Sequence, residues 1–166
     1  AYCRPGFEPD LAAELGHHAG VQGIPAYAKT ERGSAFVMLL GAPREPLAAA
    51  IPYSQLVFAR KKSALIDALE DLDPLDRISP VLEALGGKGR YGDLSVETPD
   101  SDDARQLAGL AKAFGNALRP ALRKRGMLTD KPNPKLPMLH VVFVRNNHLL
   151  LASSTSGDRS PWPMGS

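Results

Sequence analysis

The chain has 166 residues, 43% of them apolar and one of them cysteine, with a net charge of +2. That apolar share can support a real core, and no apolar run approaches the roughly 18 residues of a membrane span. A single Cys3 excludes an intramolecular disulfide and suits a reducing compartment, and no N-x-S/T sequon or signal peptide argues for secretion.

Charge is sorted along the chain more sharply than its total suggests. Residues 1–66 carry a net +2, residues 67–103 a net −8, and residues 104–166 a net +8. A polyanion would be drawn to one end of such a molecule and repelled by its middle.

The chain opens with Ala1 inside a short strand ending at Tyr2 and Cys3, so a trimmed native start is expected. Arg4-Pro5-Gly6 breaks the strand. Asp10 is placed to cap a helix with Leu11 and Leu15 on its apolar face. Ile24 to Lys29 and Ala35 to Leu40 read as strands, with Glu31-Arg32-Gly33-Ser34 as the turn. Pro46 opens a short helix, Leu47 to Ile51. Gln55 to Lys62 reads as a closing strand, so residues 1–66 form a β-α-β-β-α-β unit of ferredoxin-like type.

Residues 67–80 are acidic and punctuated by Pro74 and Pro80, and read as a linker holding a little helix. Ser79 and Pro80 start a helix through Leu85. Leu94 to Glu97 is a strand. Ser101 or Asp102 caps a longer helix with Leu107, Leu110, Ala111, Phe114, Leu118 and Leu122 at helical spacing, which Gly115 interrupts and Gly126 ends. A basic, proline-rich loop covers 127–137. Leu139 to Val144 and His148 to Ala152 form a hairpin about Asn146-Asn147, and a polar tail follows. The fold class expected is α+β.

Gly87-Lys88-Gly89-Arg90-Tyr91-Gly92 spells G-x-G-x-x-G. A helix precedes it and a strand follows, the reverse of a dinucleotide-binding turn, so it reads as a loop. His17 and His18 are adjacent and point apart on a helix. His140 and His148 flank the hairpin and can be neighbours across its two strands, but with no cysteine or carboxylate nearby they read as strand-surface histidines, so no metal set assembles. Cys3 reads as a small core residue. Trp162 can stack on a base or pack onto a neighbouring domain.

The strongest feature is basic: Arg119, Arg123, Lys124, Arg125, Lys131 and Lys135, against the single acid Asp130. Arg119 and Arg123 share a helix face. A helix end followed by a bent loop can track a phosphate backbone, releasing counterions as it does. The bland reading is a solvated face whose cations suit a helix C-terminus. Arg60-Lys61-Lys62 is a second cluster and reads as solvated.

Several stretches together resemble one family, the bacterial large-subunit ribosomal RNA 2′-O-ribose methyltransferase M. They are Ala1-Tyr2-Cys3-Arg4-Pro5-Gly6-Phe7-Glu8, Leu56-Val57-Phe58-Ala59-Arg60, Asp76-Arg77-Ile78-Ser79-Pro80, Leu118-Arg119-Pro120-Ala121-Leu122-Arg123 with Gly126, and Ser160-Pro161-Trp162-Pro163-Met164-Gly165. The resemblance runs the length of the chain in order. It implies a ferredoxin-like lobe at 1–66, a linker at 67–80, a THUMP-like α/β RNA-binding domain at 81–156, and a tail at 157–166 leading to a methyltransferase domain that lies beyond this chain. It also implies S-adenosylmethionine as cofactor of that absent domain and a cytidine ribose of 23S rRNA as its target. The catalytic residues would then lie past Ser166, and the chain alone is expected to transfer no methyl group.

On this reading the partners are 23S rRNA, through the basic segment with Arg145 and Arg159 beside it, and the chain's own methyltransferase domain. The protein is expected to be monomeric, cytoplasmic and without contact to membranes. The rival reading is a protein-interaction module whose acidic middle and basic end dock to each other or to a partner.

Overall fold

The computed structural model describes residues 1–41, 47–87 and 89–158. The chain divides into two compact units: Ala1–Ala64 with the segment from Gly157, and Leu65–Ser156. Among the described residues no helix is long and apolar enough to cross a membrane.

The first unit contains α1 (Glu8–Val21), β1 (Ala26–Thr30), β2 (Val37–Gly41), α2 (Leu47–Ala50) and a 3₁₀ turn at Tyr53–Gln55. β1 and β2 are antiparallel, with Ala26 opposite Gly41 and Thr30 opposite Val37. Tyr2 bridges antiparallel to both Phe36 and Lys61. The first extended segment therefore lies between the third and the last, and β1 is outermost on the other side. This is the ferredoxin-like order. Leu11, Leu15 and Ala19 of α1 pack with Cys3, Val37, Ile51 and Ala59 as the core.

The expected closing strand, Gln55 to Lys62, is corrected to a 3₁₀ turn and a single bridge at Lys61. The cause is Glu14, whose carboxylate accepts the backbone N–H groups of Val57 and Phe58. Donors that a strand would send to its neighbour are satisfied by a helix instead. Val57 is left 81% exposed, beside a stacked Phe7–Phe58 pair with centroids 6.1 Å apart. Asp10 does not cap α1, which begins at Glu8 after Phe7 with no side-chain cap. Pro46, read as the start of α2, lies outside the described residues.

The Arg60-Lys61-Lys62 cluster is not simply solvated. Lys61 is buried, with its ammonium 5.0 Å from the centre of the Tyr2 ring. Lys62 lies 3.3 Å from the Asp158 carboxylate and also donates to the Ala48 carbonyl.

From Ala64 onward come β3 (Ala64–Leu69), α3 (Ile78–Leu85), β4 (Asp93–Glu97), α4 (Asp102–Arg105), α5 (Ala108–Lys124), β5 (Met138–Arg145), β6 (His148–Ser154) and a 3₁₀ turn at Ser156–Asp158. The sheet order is β3-β6-β5-β4. β4 and β5 are parallel, from Asp93 opposite Met138 to Glu97 opposite Val142, as the helical crossover between them requires. β5 and β6 form an antiparallel hairpin with an irregularity between Phe143 and Arg145.

Inward residues Leu139, Val141, Phe143, Leu149 and Leu151 meet Val81, Leu82 and Leu85 of α3 and Phe114, Leu118 and Leu122 of α5. Phe114 and Phe143 meet edge to face with centroids 5.3 Å apart.

Two expectations change here. The first part of the expected linker is an edge strand, β3, whose Leu65, Ile66, Asp67 and Ala68 are all exposed. The long helix breaks at Gln106 and Leu107, not at Gly115, which is buried mid-helix against Val96. Ser101 does cap α4, accepting the N–H of Ala104. The start of α3 is served by Asp76, whose carboxylate accepts the N–H of Ser79.

Candidate nucleic-acid interface

The second half of α5 carries buried residues on one face and cations on the other. Leu118 and Leu122 are fully buried, while Arg123 and Lys124 are exposed. Pro120 lacks an N–H and occupies an exposed position in this helix. The helix ends in a paired turn: Gly126 N–H donates to the Arg123 carbonyl and Met127 N–H to the Leu122 carbonyl, each at 3.0 Å. Gly126 takes φ +71°, the left-handed conformation this ending requires.

The loop that follows is held against the entry to β4. Tyr91 N–H donates to Met127 O, and Thr129 N–H returns to Tyr91 O. Asn133 N–H donates to Gly92 O, and Gly92 N–H to Pro137 O, each at 2.9 Å. The Thr129 hydroxyl reaches the carbonyls of Gly92 and Lys131. A Cβ on Gly92 would sit 1.9 Å from the Asn133 carbonyl oxygen, so only glycine fits. In the G-x-G-x-x-G segment, Gly92 thus serves backbone packing between α3 and β4. Lys88 lies outside the described residues, and Arg90 is exposed.

The six cations divide into two kinds. Arg119 is half-buried, with Nη2 donating to Leu94 O at 3.0 Å and Nη1 3.7 Å from Asp93 Oδ1. Arg123 folds over the loop, its guanidinium reaching the carbonyls of Thr129 and Asp130 at 3.3 and 3.5 Å. Lys124, Arg125, Lys131 and Lys135 are exposed, and among the described residues their side chains have no hydrogen-bond or ion-pair partner. Arg123 ties the helix end that carries Lys124 and Arg125 to the loop that carries Lys131. Arg145 is exposed at the hairpin, and Arg159 and Trp162 lie outside the described residues.

The histidines depart from expectation. His140 is 1% exposed, not a strand-surface residue. Its Nε2 is 2.6 Å from Ser154 Oγ and its Nδ1 3.4 Å from Glu97 Oε1, while Ser95 Oγ donates to Glu97 Oε2 at 2.6 Å. A carboxylate does therefore lie close by. The composition is that of a nucleophilic triad, but Ser154 is 3% exposed and no substrate reaches its oxygen. It is a buried polar tie joining β4, β5 and β6. His148 lies 3.7 Å from Glu70 and opposite Arg145, away from His140. Among the described residues no three His, Cys, Asp or Glu side chains converge on a metal site. Cys3 is buried, and burial first, then the nearby Glu8 charge, pushes its thiol up to about 11.

One feature of the second unit was not anticipated from the sequence. An open groove of about 300 Å³ runs between β4 and α5, with Lys112, Asn116 and Arg119 on its helical side. Their i, i+4, i+7 spacing on one helix was the available signal.

Comparison with known proteins agrees with this architecture. A family model described as "Ribosomal RNA large subunit methyltransferase M, N-terminal" matches residues 76–155, and one described as "RlmM ferredoxin-like domain" matches residues 1–62. The chain is 54% identical over 164 residues to the ribosomal RNA large subunit methyltransferase M of Xanthomonas axonopodis pv. citri, covering 99% of this chain and 47% of that protein. Proteins of the same name from Xanthomonas oryzae pv. oryzae and Xanthomonas campestris pv. campestris are each 53% identical over the same shares. The chain thus spans about half the length of the curated relatives it matches.

Proposed function

The chain belongs to the ribosomal RNA large subunit methyltransferase M family, and from that premise we propose that it is the RNA-gripping N-terminal region of an enzyme that methylates a cytidine 2′-hydroxyl of 23S rRNA. The unit from Leu65 to Ser156 acts as a THUMP-like RNA-binding module in this reading. The methyl donor is S-adenosylmethionine, bound by a further domain. The described residues do not fit that cofactor: their glycine-rich segment, 86–92, runs from α3 into β4 and offers no helix N-terminus to a ligand.

The observation that carries the proposal is the set of cations at the end of α5 and on the adjoining loop that have no side-chain partner among the described residues. Lys124, Arg125, Lys131 and Lys135 project from a backbone held in place by the Gly126 turn and the Gly92 ladder. Such charges can neutralise phosphates without first giving up internal partners. Arg119 and Arg123 shape the surface as much as they charge it. For a ribose methyltransferase, a remote grip of this kind contributes binding energy and orientation that the reacting domain can use.

The test is fluorescence anisotropy of a labelled 23S rRNA fragment with the full chain over a range of salt. Binding should weaken steeply, with log Kd rising linearly in log salt by about 0.9 for each phosphate neutralised. Binding indifferent to salt would overturn the reading.

A further inference from the structure

Phe7 and Phe58 come from distant segments of the first unit and stack with ring centroids 6.1 Å apart. Both are exposed, Phe7 by 45% and Phe58 by 38%, and Val57 next to Phe58 is 81% exposed. Apolar residues exposed one at a time are ordinary on a protein surface, whereas a group that gathers from separate segments marks a contact. This group is also held in place. Phe7 N–H donates to the Arg4 carbonyl, and Leu11 N–H donates to the Phe7 carbonyl. The Glu14 carboxylate accepts the N–H groups of Val57 and Phe58. α1 therefore fixes both segments, and a partner meets a surface that is already formed.

The charges on these segments balance. Glu8 is fully buried, and Arg4 and Arg60 stand against Asp10 and Glu14. A phosphate backbone gains no net attraction there. An apolar centre with mixed charge around it is the pattern of a contact between proteins.

The occupant is argued from where the chain leaves the unit and from how much follows. Residues from Gly157 belong to the first unit. Lys62 N–H donates to the Asp158 carbonyl at 2.9 Å, and Lys62 Nζ lies 3.3 Å from the Asp158 carboxylate. Lys62 follows Phe58 by four residues, so the chain returns to the segment that carries the patch. The Xanthomonas axonopodis relative holds more than half of its length outside the matched region, and the model matching residues 76–155 is described as N-terminal. On the reading above that a methyltransferase domain continues the chain, we infer that the Phe7–Val57–Phe58 patch is the surface on which that domain docks. A domain joined by a short tether is held at about millimolar effective concentration, so a modest patch suffices. A second copy of the chain would have to associate through the same patch with no tether. The three side chains form the centre of the contact, since interfaces between domains of one chain bury roughly 600–1,500 Å².

The experiment is hydroxyl-radical footprinting of residues 1–166 and of the full-length protein, read by mass spectrometry. Labelling of Phe7 and Phe58 should fall at least threefold in the full-length protein. Tyr27, 65% exposed on β1, should label alike in both. Val57→Lys in the full-length protein should return Phe7 and Phe58 to the labelling of the shorter chain. Because Val57 is exposed, the same substitution in residues 1–166 should leave the urea midpoint unchanged, which separates undocking from unfolding. Equal labelling of Phe7 and Phe58 in the two proteins would overturn the proposal and leave the RNA-binding reading standing. So would a fall in their labelling on adding a 23S rRNA fragment to residues 1–166, or on concentrating residues 1–166 alone, since RNA or a second copy would then be the occupant. A full-length protein that covers the patch but methylates no 23S rRNA would uphold the docking and sink the functional reading.

Discussion

Arg119 on α5 faces Asp93 at the start of β4, with Nη1 3.7 Å from Oδ1, while Nη2 donates to the next residue's carbonyl at 3.0 Å. The residue that leads the basic segment in sequence is therefore tied to the acidic middle of the chain. Both side chains are more than a third exposed, so the ion pair itself is screened and contributes little. The hydrogen bond to Leu94 fixes α5 to an edge strand. Arg119→Ala should cost about 1 kcal/mol in urea unfolding, mostly from the lost carbonyl contact. Asp93→Asn, which keeps that contact, should cost less; equal losses would show that the pair and not the backbone contact matters.

Lys124 and Arg125 differ from Arg119 in having no such tie among the described residues. The double variant Lys124→Glu/Arg125→Glu should reduce affinity for a 23S rRNA fragment at least tenfold. The salt slope should fall by about 2, one for each lost phosphate contact. Its urea midpoint should move only slightly, because the cost is limited to the helix C-terminal dipole, about 0.3–1 kcal/mol per charge. Anisotropy titrations at several salt concentrations check both parts. Retained affinity and slope would remove the end of α5 from the RNA surface.

Regular alternation made much of this fold legible. β5 and β6 stand out because Leu139, Val141 and Phe143 alternate against a clear turn at Asn146-Asn147. α5 stands out because its apolar residues recur at helical spacing up to Gly126. β3 escaped notice because an edge strand exposed on both faces carries no burial pattern, and Asp67 in its middle reads as linker. The strand expected at Gln55 to Lys62 looked apolar enough, but its donors go to Glu14, forty-three residues earlier for Val57. That long-range contact has no local signature. The polar tie through His140 did leave one: a histidine inside the apolar run Leu139 to Val144, with Ser95 and Glu97 two residues apart on the neighbouring strand. The basic segment was visible as composition. Its division into tied and free cations depends on tertiary contacts and was not.

Gly92 offers a sharper test of the loop. The Asn133 carbonyl stands where a Cβ would lie, at 1.9 Å, and backbone cannot yield as a flexible side chain can. Gly92→Ala should destabilise the chain by more than about 2 kcal/mol or release the loop. Either outcome should also lower RNA affinity, since Lys131 and Lys135 lose their support. A folded Gly92→Ala protein with unchanged stability and affinity would mean that the ladder does not organise the surface.

Cys3 should be inert in the native state. The thiolate is the reactive form, and a buried thiol pushed up to about 11 is almost wholly protonated near pH 8. Reaction with a thiol reagent should therefore follow opening of the first unit, rising steeply across the urea transition. Labelling in native buffer as fast as in denaturant would contradict the burial.

Glu8 ties acid stability to the same unit. Its side chain is fully buried, and burial alone would raise its pKa above the usual 4.5. Backbone N–H donation, led by Ala35 and joined by its own N–H and those of Gly6 and Gly33, outweighs that effect and leaves the group below 4.5. A folded pKa below the unfolded one means that the ionised form is bound more tightly in the native state. The stabilisation is present above the unfolded value of 4.5 and is lost as pH falls through the lower, folded value. Glu8→Gln should thus cost about 1–3 kcal/mol at pH 7, where the charged acceptor of these N–H groups is lost. The penalty should shrink below pH 4.5, where the wild-type carboxylate itself takes up a proton. Urea unfolding of both proteins from pH 7 to pH 3 measures the difference, and a penalty constant across that range would show that the carboxylate's charge has no part in holding Ala35 to the start of α1.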